Sequence, residues 1–138
     1  MMLEAMGEPR ELLGKAWRSA TEAWFEQHLT LRVDFAAFVV DGPANSLVAS
    51  AAGLCEHRAP TGSNLSGGVG RVFSVATASD HRRQGLAREC TTALVDWFTV
   101  HTVVGVLELS ATTDGDALYR SLGFRSADAP VLRLQLSR

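Results

Sequence analysis

The chain has 138 residues, 46% of them hydrophobic and 20% charged, with a formal net charge of −2. That length suits one domain, 1–138, able to bury a core without disulfide or metal staples, and the composition excludes a disordered chain. No apolar run approaches the roughly 20 residues a membrane span requires, and the negative balance argues against a general nucleic-acid binder.

Met1 to Glu8 carries acidic residues and no basic region, unlike a secretory leader, so a cytoplasmic location is expected. Cys55 and Cys90 lie in apolar surroundings on different predicted elements. They read as buried thiols rather than a disulfide, and two cysteines are too few for a zinc site.

From Pro9 to about His28 the pattern is helical, as one helix or two short ones. Leu13, Trp17, Ala20 and Trp24 recur at spacings that share one face, and such a stripe reads first as core and second as part of a ligand pocket. Phe35 to Val40 is a short run of strand formers, closed by the turn cluster Asp41 to Asn45, and Leu47 to Cys55 follows at once. Together they predict an antiparallel hairpin. Gly53 inside its second strand marks a bulge or a close backbone approach. Residues 57 to 70 are glycine-rich and irregular, a length of loop compatible with a substrate-side role.

Val69 to Thr77 resumes strand character, and the loop Arg82-Arg-Gln-Gly-Leu-Ala87 opens directly into a helix. Such a junction favours anions, because the first helical N–H groups have no intrahelical acceptor and the helix dipole is positive there. Gly85 permits close backbone approach, and Arg82, Arg83 and Arg88 with His81 form the densest positive cluster of the chain. This suits one small phosphate-bearing ligand; the alternative is an ordinary strand-to-helix turn with solvated arginines.

Leu86, Cys90, Ala93, Leu94, Trp97 and Phe98 form the apolar stripe of that helix, opposite Arg88, Thr92, Asp96 and Thr99. Val103 to Leu109 is another strand, so 72 to 109 reads as strand, right-handed crossover helix and parallel strand. The turn cluster Ser110 to Gly115 leads into a short helix from Asp116 to Leu122, ended by Gly123. Val131 to Leu136 alternates, with Leu132, Leu134 and Leu136 on one face, and predicts a half-buried strand that would pair across a homodimer if it lay at a sheet edge.

Two motifs carry a family resemblance. Arg82-Arg-Gln-Gly-Leu-Ala87 resembles the glycine-bearing cofactor loop of the GCN5-related N-acetyltransferase (GNAT) superfamily, and Asp116-Ala-Leu-Tyr-Arg-Ser-Leu-Gly-Phe124 resembles its short helix carrying a tyrosine and ending in Gly-Phe. Their order and spacing extend the resemblance over about residues 35 to 136. It implies an α/β (α+β) fold: a mixed, mostly antiparallel sheet with a central parallel βαβ unit and helices on both faces, with the family's first strand either lacking here or trimmed from the start.

The resemblance also implies acetyl-CoA as cofactor, entering a V-shaped gap between the strands that end near Thr77 and Leu109. Val75, Ala76 and Thr77 would pair with the pantetheine arm; Arg82, Arg83, Gln84, Gly85, Leu86 and Ala87 would hold the pyrophosphate; Thr112 or Thr113 stands where an asparagine commonly fixes the arm, and Ser79 where proline is frequent. Acetyl transfer to an amine needs a neutral nitrogen, donors for the oxyanion and a proton for the leaving thiolate. The main-chain N–H of Val75 or its neighbour would be the oxyanion donor. Tyr119, the only tyrosine, stands where the family places its leaving-group acid; the alternative is a ring that only orients the sulfur. Val69 to Thr77 carries no carboxylate, so Glu56, Glu108, His57 or a water chain are the candidates for base. The implied activity is an N-acetyltransferase acting on a small-molecule or peptide amine. A non-catalytic acyl-CoA-binding module of the same fold is the alternative, and a nucleotide-binding domain is disfavoured because no Gly-Lys-Ser/Thr follows the loop.

Overall fold

The computed structural model describes residues 15–31 and 34–138. In chain order these form α1 (Lys15–Leu31), β1 (Phe35–Asp41), β2 (Leu47–His57), β3 (Gly68–Thr77), α2 (Leu86–His101), β4 (Val106–Glu108) and α3 (Asp116–Ser121). The expected helix start at Pro9, Leu13 of the aromatic stripe and the absent first strand lie outside the described residues.

The sheet runs β1-β2-β3-β4, with β1/β2 and β2/β3 antiparallel and β3/β4 parallel. The hairpin and the βαβ unit are therefore as expected. The parallel pair forms one edge of the described sheet instead of its centre, and β4 spans only Val106–Glu108 of the expected 103–109.

Alternation along the strands separates two faces. Ala49, Ala51, Cys55 and Val72 face α2 and join Cys90, Leu94 and Phe98 in one buried cluster. Phe35 and Phe73 face α1, where Trp24 and Phe25 meet them edge-on or tilted. Small residues on the α2 face let the helix lie close. A Cβ at Gly53 would fall 2.6 Å from Phe98 Cζ, and one at Gly70 would fall 2.7 Å from Phe98 Cε1, so the Phe98 ring lies flush on two glycines. Gly53 thus marks a close approach. Burying a side chain such as Phe98 or Leu94 stabilises the domain by ~1.5–3 kcal/mol each.

The bulge lies elsewhere. Ala52 opposes Phe73 and Ser50 opposes Ala76, so Ala51 of β2 faces two residues of β3, Ser74 and Val75. Ser74 adopts a left-handed φ of 53°, and its carbonyl accepts a 2.8 Å hydrogen bond from Ser50 Oγ. The sequence carries no local signal for this, since a serine with positive φ is held there by its neighbours.

The 58–67 loop packs at the end of β3 away from Thr77. Ser66 Oγ donates to Val103 O at 3.2 Å, and Asn64 Nδ2 donates to Gly68 O at 2.9 Å.

The half-buried strand expected over Val131 to Leu136 is not formed. The segment has no regular structure, and Val131, Leu132, Leu134 and Leu136 are 86%, 90%, 84% and 55% exposed. Alternation makes a strand only where a ladder partner is present, and among the described residues none pairs with it. It is not part of the described sheet, so the condition for pairing across a dimer is not met.

Candidate functional site

The end of β3 and the start of α2 build one wall of a cavity of about 540 Å³. Val75, Ala76 and Thr77 line it from the strand, and Arg82, Arg83, Gly85, Leu86 and Ala87 line it from the loop and the first helical turn. Thr112, Gly115, Leu118 and Tyr119 close it from the far side. Gln84 is exposed on the same loop and does not line the cavity.

The gap follows from how the strands end. β4 pairs with β3 only from Val69/Val106 to Arg71/Glu108. Beyond Arg71 that edge of β3 has no strand partner among the described residues. The N–H of Ala78 points to β2, where it donates to Val48 O at 2.8 Å. Alternation then turns the main-chain groups of Thr77 and Val75 toward the gap.

At the helix start, Gly85 is the N-cap, with φ 76° and no side-chain cap, and Glu89 N–H is the first to find an intrahelical acceptor, Gly85 O at 3.0 Å. The amides of Leu86, Ala87 and Arg88 therefore have no intrahelical partner and can receive an anion. Nothing lies within 4 Å of a Cβ placed on Gly85, so glycine serves the left-handed backbone there, not a lack of space. Arg83 shares the left-handed region at φ 64°, a strain of about 1–2 kcal/mol for a side-chain-bearing residue. Ser79–His81 is a single 3-10 turn, so serine in place of proline still permits it.

Tyr119 is fixed by the residues that follow it. Gly123, at φ 100°, and Phe124 close α3 by two hydrogen bonds, Gly123 N–H to Arg120 O and Phe124 N–H to Tyr119 O, each 3.1 Å. The accompanying contact is Phe124 against the Tyr119 ring at 6.1 Å, edge-on. The Tyr-x-x-x-Gly-Phe pattern is thus a helix stop that orients the phenol. Tyr119 is 8% exposed, and burial raises its pKa above the ordinary phenol value, so it keeps its proton at neutral pH. It borders both the first cavity and a second of about 460 Å³ that also reaches Glu108.

Glu56 and Glu108 do not join Tyr119 in the first cavity. Arg58 holds both, donating to Glu56 Oε2 at 2.6 Å from Nη2 and to Glu108 Oε2 at 3.3 Å from Nη1. His57 is exposed and lies 3.5 Å from Asp34.

The sequence profile of the acetyltransferase (GNAT) family matches residues 8–124. The chain belongs to the GNAT acetyltransferase family. A predicted acetyltransferase from Clostridium acetobutylicum, solved with acetyl-CoA, superposes with TM-score 0.76 at 23% identity, over 93% of this chain and 78% of that one. A GNAT protein from Ralstonia eutropha gives 0.73 at 17%, over 86% and 76%. Glucosamine-6-phosphate N-acetyltransferase from Arabidopsis thaliana gives 0.68 at 15%, over 82% and 75%. At these identities the likeness is one of fold. No curated protein matches the chain.

Set against the GNAT motifs, sequence reasoning missed Asp114, Gly115 and Leu118 as lining residues, although the turn cluster before α3 marked their position. It also favoured core over pocket for the aromatic stripe. A further cavity of about 350 Å³ is lined by Trp24, Phe25, Phe73 and Ser74, with Ala20 and Thr21. Among the described residues no group of three or more His, Cys, Asp or Glu could hold a metal, and no helix is long and apolar enough to cross a membrane.

Proposed function

We propose that this GNAT protein is an N-acetyltransferase that moves an acetyl group from acetyl-CoA to a primary amine. The observation that carries the reading is the convergence, in one cavity beside the β3/β4 gap, of an uncapped helix N-terminus, Arg82, Arg83 and the buried Tyr119. A ligand bearing a pyrophosphate at one end and an extended amide arm at the other fits this donor set. The amides of residues 86–88 and the two arginines would hold the anion. Val75, Ala76 and Thr77 would bind the arm as an added strand, and Thr112 lies across from them. When bound, acetyl-CoA supplies an acyl group already activated as a thioester.

The remaining roles fall to the chain's own groups. The Tyr119 hydroxyl, protonated and carried by a side chain that lines the cavity, would give its proton to the leaving sulfur. An N–H at the Ser74/Val75 bulge would donate to the acyl oxygen. Of the two glutamates, Glu108 is the better placed base, because it shares the second cavity with Tyr119 and its contact with Arg58 is the longer. Glu56 would have to leave a tighter ion pair first.

The test is calorimetric titration with acetyl-CoA, followed by thiol-release assays across a panel of primary amines. Micromolar binding with release of CoA by at least one amine is the expected result. Absence of acetyl-CoA binding would end the proposal, and binding without release for any amine would convert it to a non-catalytic module.

A further inference from the structure

Consecutive residues of β3 serve two different cavities. Phe73 and Ser74 line the one beneath α1, while Val75, Ala76 and Thr77 line the one at the α2 N-terminus. The switch falls at the bulge, where Ser74 is held at φ 53° against the ordinary preference of a serine. Neighbouring Cα atoms are ~3.8 Å apart, so a group seated beside Ser74 lies one residue from the gap at Val75.

The cavity under α1 is aromatic, and its rings are held by contacts with one another. Trp24 stacks on His28 at 3.8 Å between ring centres, and His28 Nδ1 lies 2.8 Å from Trp24 O, one turn back. Trp24 meets Phe73 edge-on at 5.6 Å and Phe25 at 5.2 Å. These rings are only half-buried, so aromatic surface is left facing the cavity. Thr21 and Ser74 are the polar side chains of the lining, which carries no acid and no base among the described residues. Glu22 and Glu26, on the same helix, are exposed and outside it.

We infer that this cavity seats the acceptor and selects a primary amine with a flat, apolar body, of the arylalkylamine kind, over polycationic or phosphorylated amines. This rests on the acetyltransferase reading above. A polycation would need several carboxylates and a phosphorylated amine would need cations, and among the described residues the lining offers neither. An aromatic body would pack edge-to-face among Trp24, Phe25 and Phe73, leaving its nitrogen to reach past Ser74 to the gap. The N–C(acyl) bond would form as the C–S bond breaks; the proton lost by the nitrogen would pass through water to Glu108 and the sulfur would take one from Tyr119, giving the amide and free CoA thiol.

The experiment compares kcat/KM for 2-phenylethylamine with that for spermidine, kanamycin and glucosamine 6-phosphate, on the unmodified protein saturated with acetyl-CoA. Trp24→Leu and Phe73→Leu follow, kept for kinetics where circular dichroism shows a folded chain. Phenylethylamine should lead the panel, and each folded variant should raise its KM roughly tenfold or more while kcat and acetyl-CoA affinity stay within about threefold. A panel led by spermidine, kanamycin or the sugar phosphate overturns the inference and leaves the acetyltransferase reading standing. An unchanged KM in folded variants does the same, whereas no acetyl-CoA binding at all takes down both.

Discussion

On one side of the Ser74/Val75 bulge the cavity is lined by arginines, helix amides and one buried phenol; on the other it is lined by a tryptophan and two phenylalanines, with no formal charge among the described residues. Ten of the fifteen residues lining the first come from one stretch of chain, Val75 to Arg88, and the turn and helix from Thr112 to Tyr119 close it. The second joins α1 to the middle of β3, about fifty residues away. A site made of neighbouring residues carries its chemistry in the local sequence. One assembled from distant elements becomes visible only when the elements meet.

If the two sides divide donor from acceptor, substitutions should separate their effects. The largest expected change is in Tyr119→Phe, which removes the proton and keeps the ring packed on Phe124. Turnover should fall by ~10²-fold or more with acetyl-CoA affinity nearly unchanged by calorimetry, and an unaltered kcat would reduce Tyr119 to a positioning role. Next, Arg82→Glu with Arg83→Glu should weaken acetyl-CoA by roughly 100-fold and leave the thermal midpoint close to its original value, because both side chains are exposed. Weakened amine binding with intact acetyl-CoA binding would reverse the assignment of the two sides. The Trp24 and Phe73 variants should show the opposite split.

A change in the core beneath both sides supplies the control. Gly53→Ala would drive a methyl into the Phe98 ring and should destabilise the fold by about 1–3 kcal/mol in chemical denaturation. The surviving folded fraction should keep its ligand affinities, since Gly53 lines neither cavity. The smallest effect is one of pH. Burial raises the pKa of Tyr119 and of Cys90, and burial followed by the charge of Asp34 raises that of Cys55. The folded chain therefore holds these protons more tightly than the unfolded chain. Stability should be fully present below about pH 9 and decline as the pH rises beyond the ordinary thiol and phenol values. A denaturation midpoint that rises above pH 9 would contradict the burial of these groups.

The elements that could be read in advance are those whose cause is short-range. The β1/β2 hairpin has its turn residues between two apolar runs. The α2 stripe has its period, and its uncapped start follows from Gly85. The stop of α3 follows from Gly123 and Phe124, whose two hydrogen bonds span only six residues. Other features have causes elsewhere in the chain. The bulge at Ser74 exists because β2 offers one residue against two. β4 is cut to three residues because the strands part after Glu108, and the alternation of Leu132, Leu134 and Leu136 comes to nothing without a partner strand. Glu56 and Glu108, candidates from their places near strand ends, meet through Arg58, which no spacing rule would have joined to both.

By itself, the sequence determined the parts of the cavity at the start of α2: a strand, a basic glycine loop, a helix N-terminus and a tyrosine held by Gly-Phe. Each depends on hydrogen bonds and dihedral preferences that act within a turn or two of chain. Only the tertiary structure decided the cavity under α1, because whether an aromatic stripe becomes core or pocket depends on how far α1 closes over β3. That closure is set by packing between distant elements, here Trp24 against Phe35 and Phe73, and it leaves a cavity that reaches β3 at the bulge.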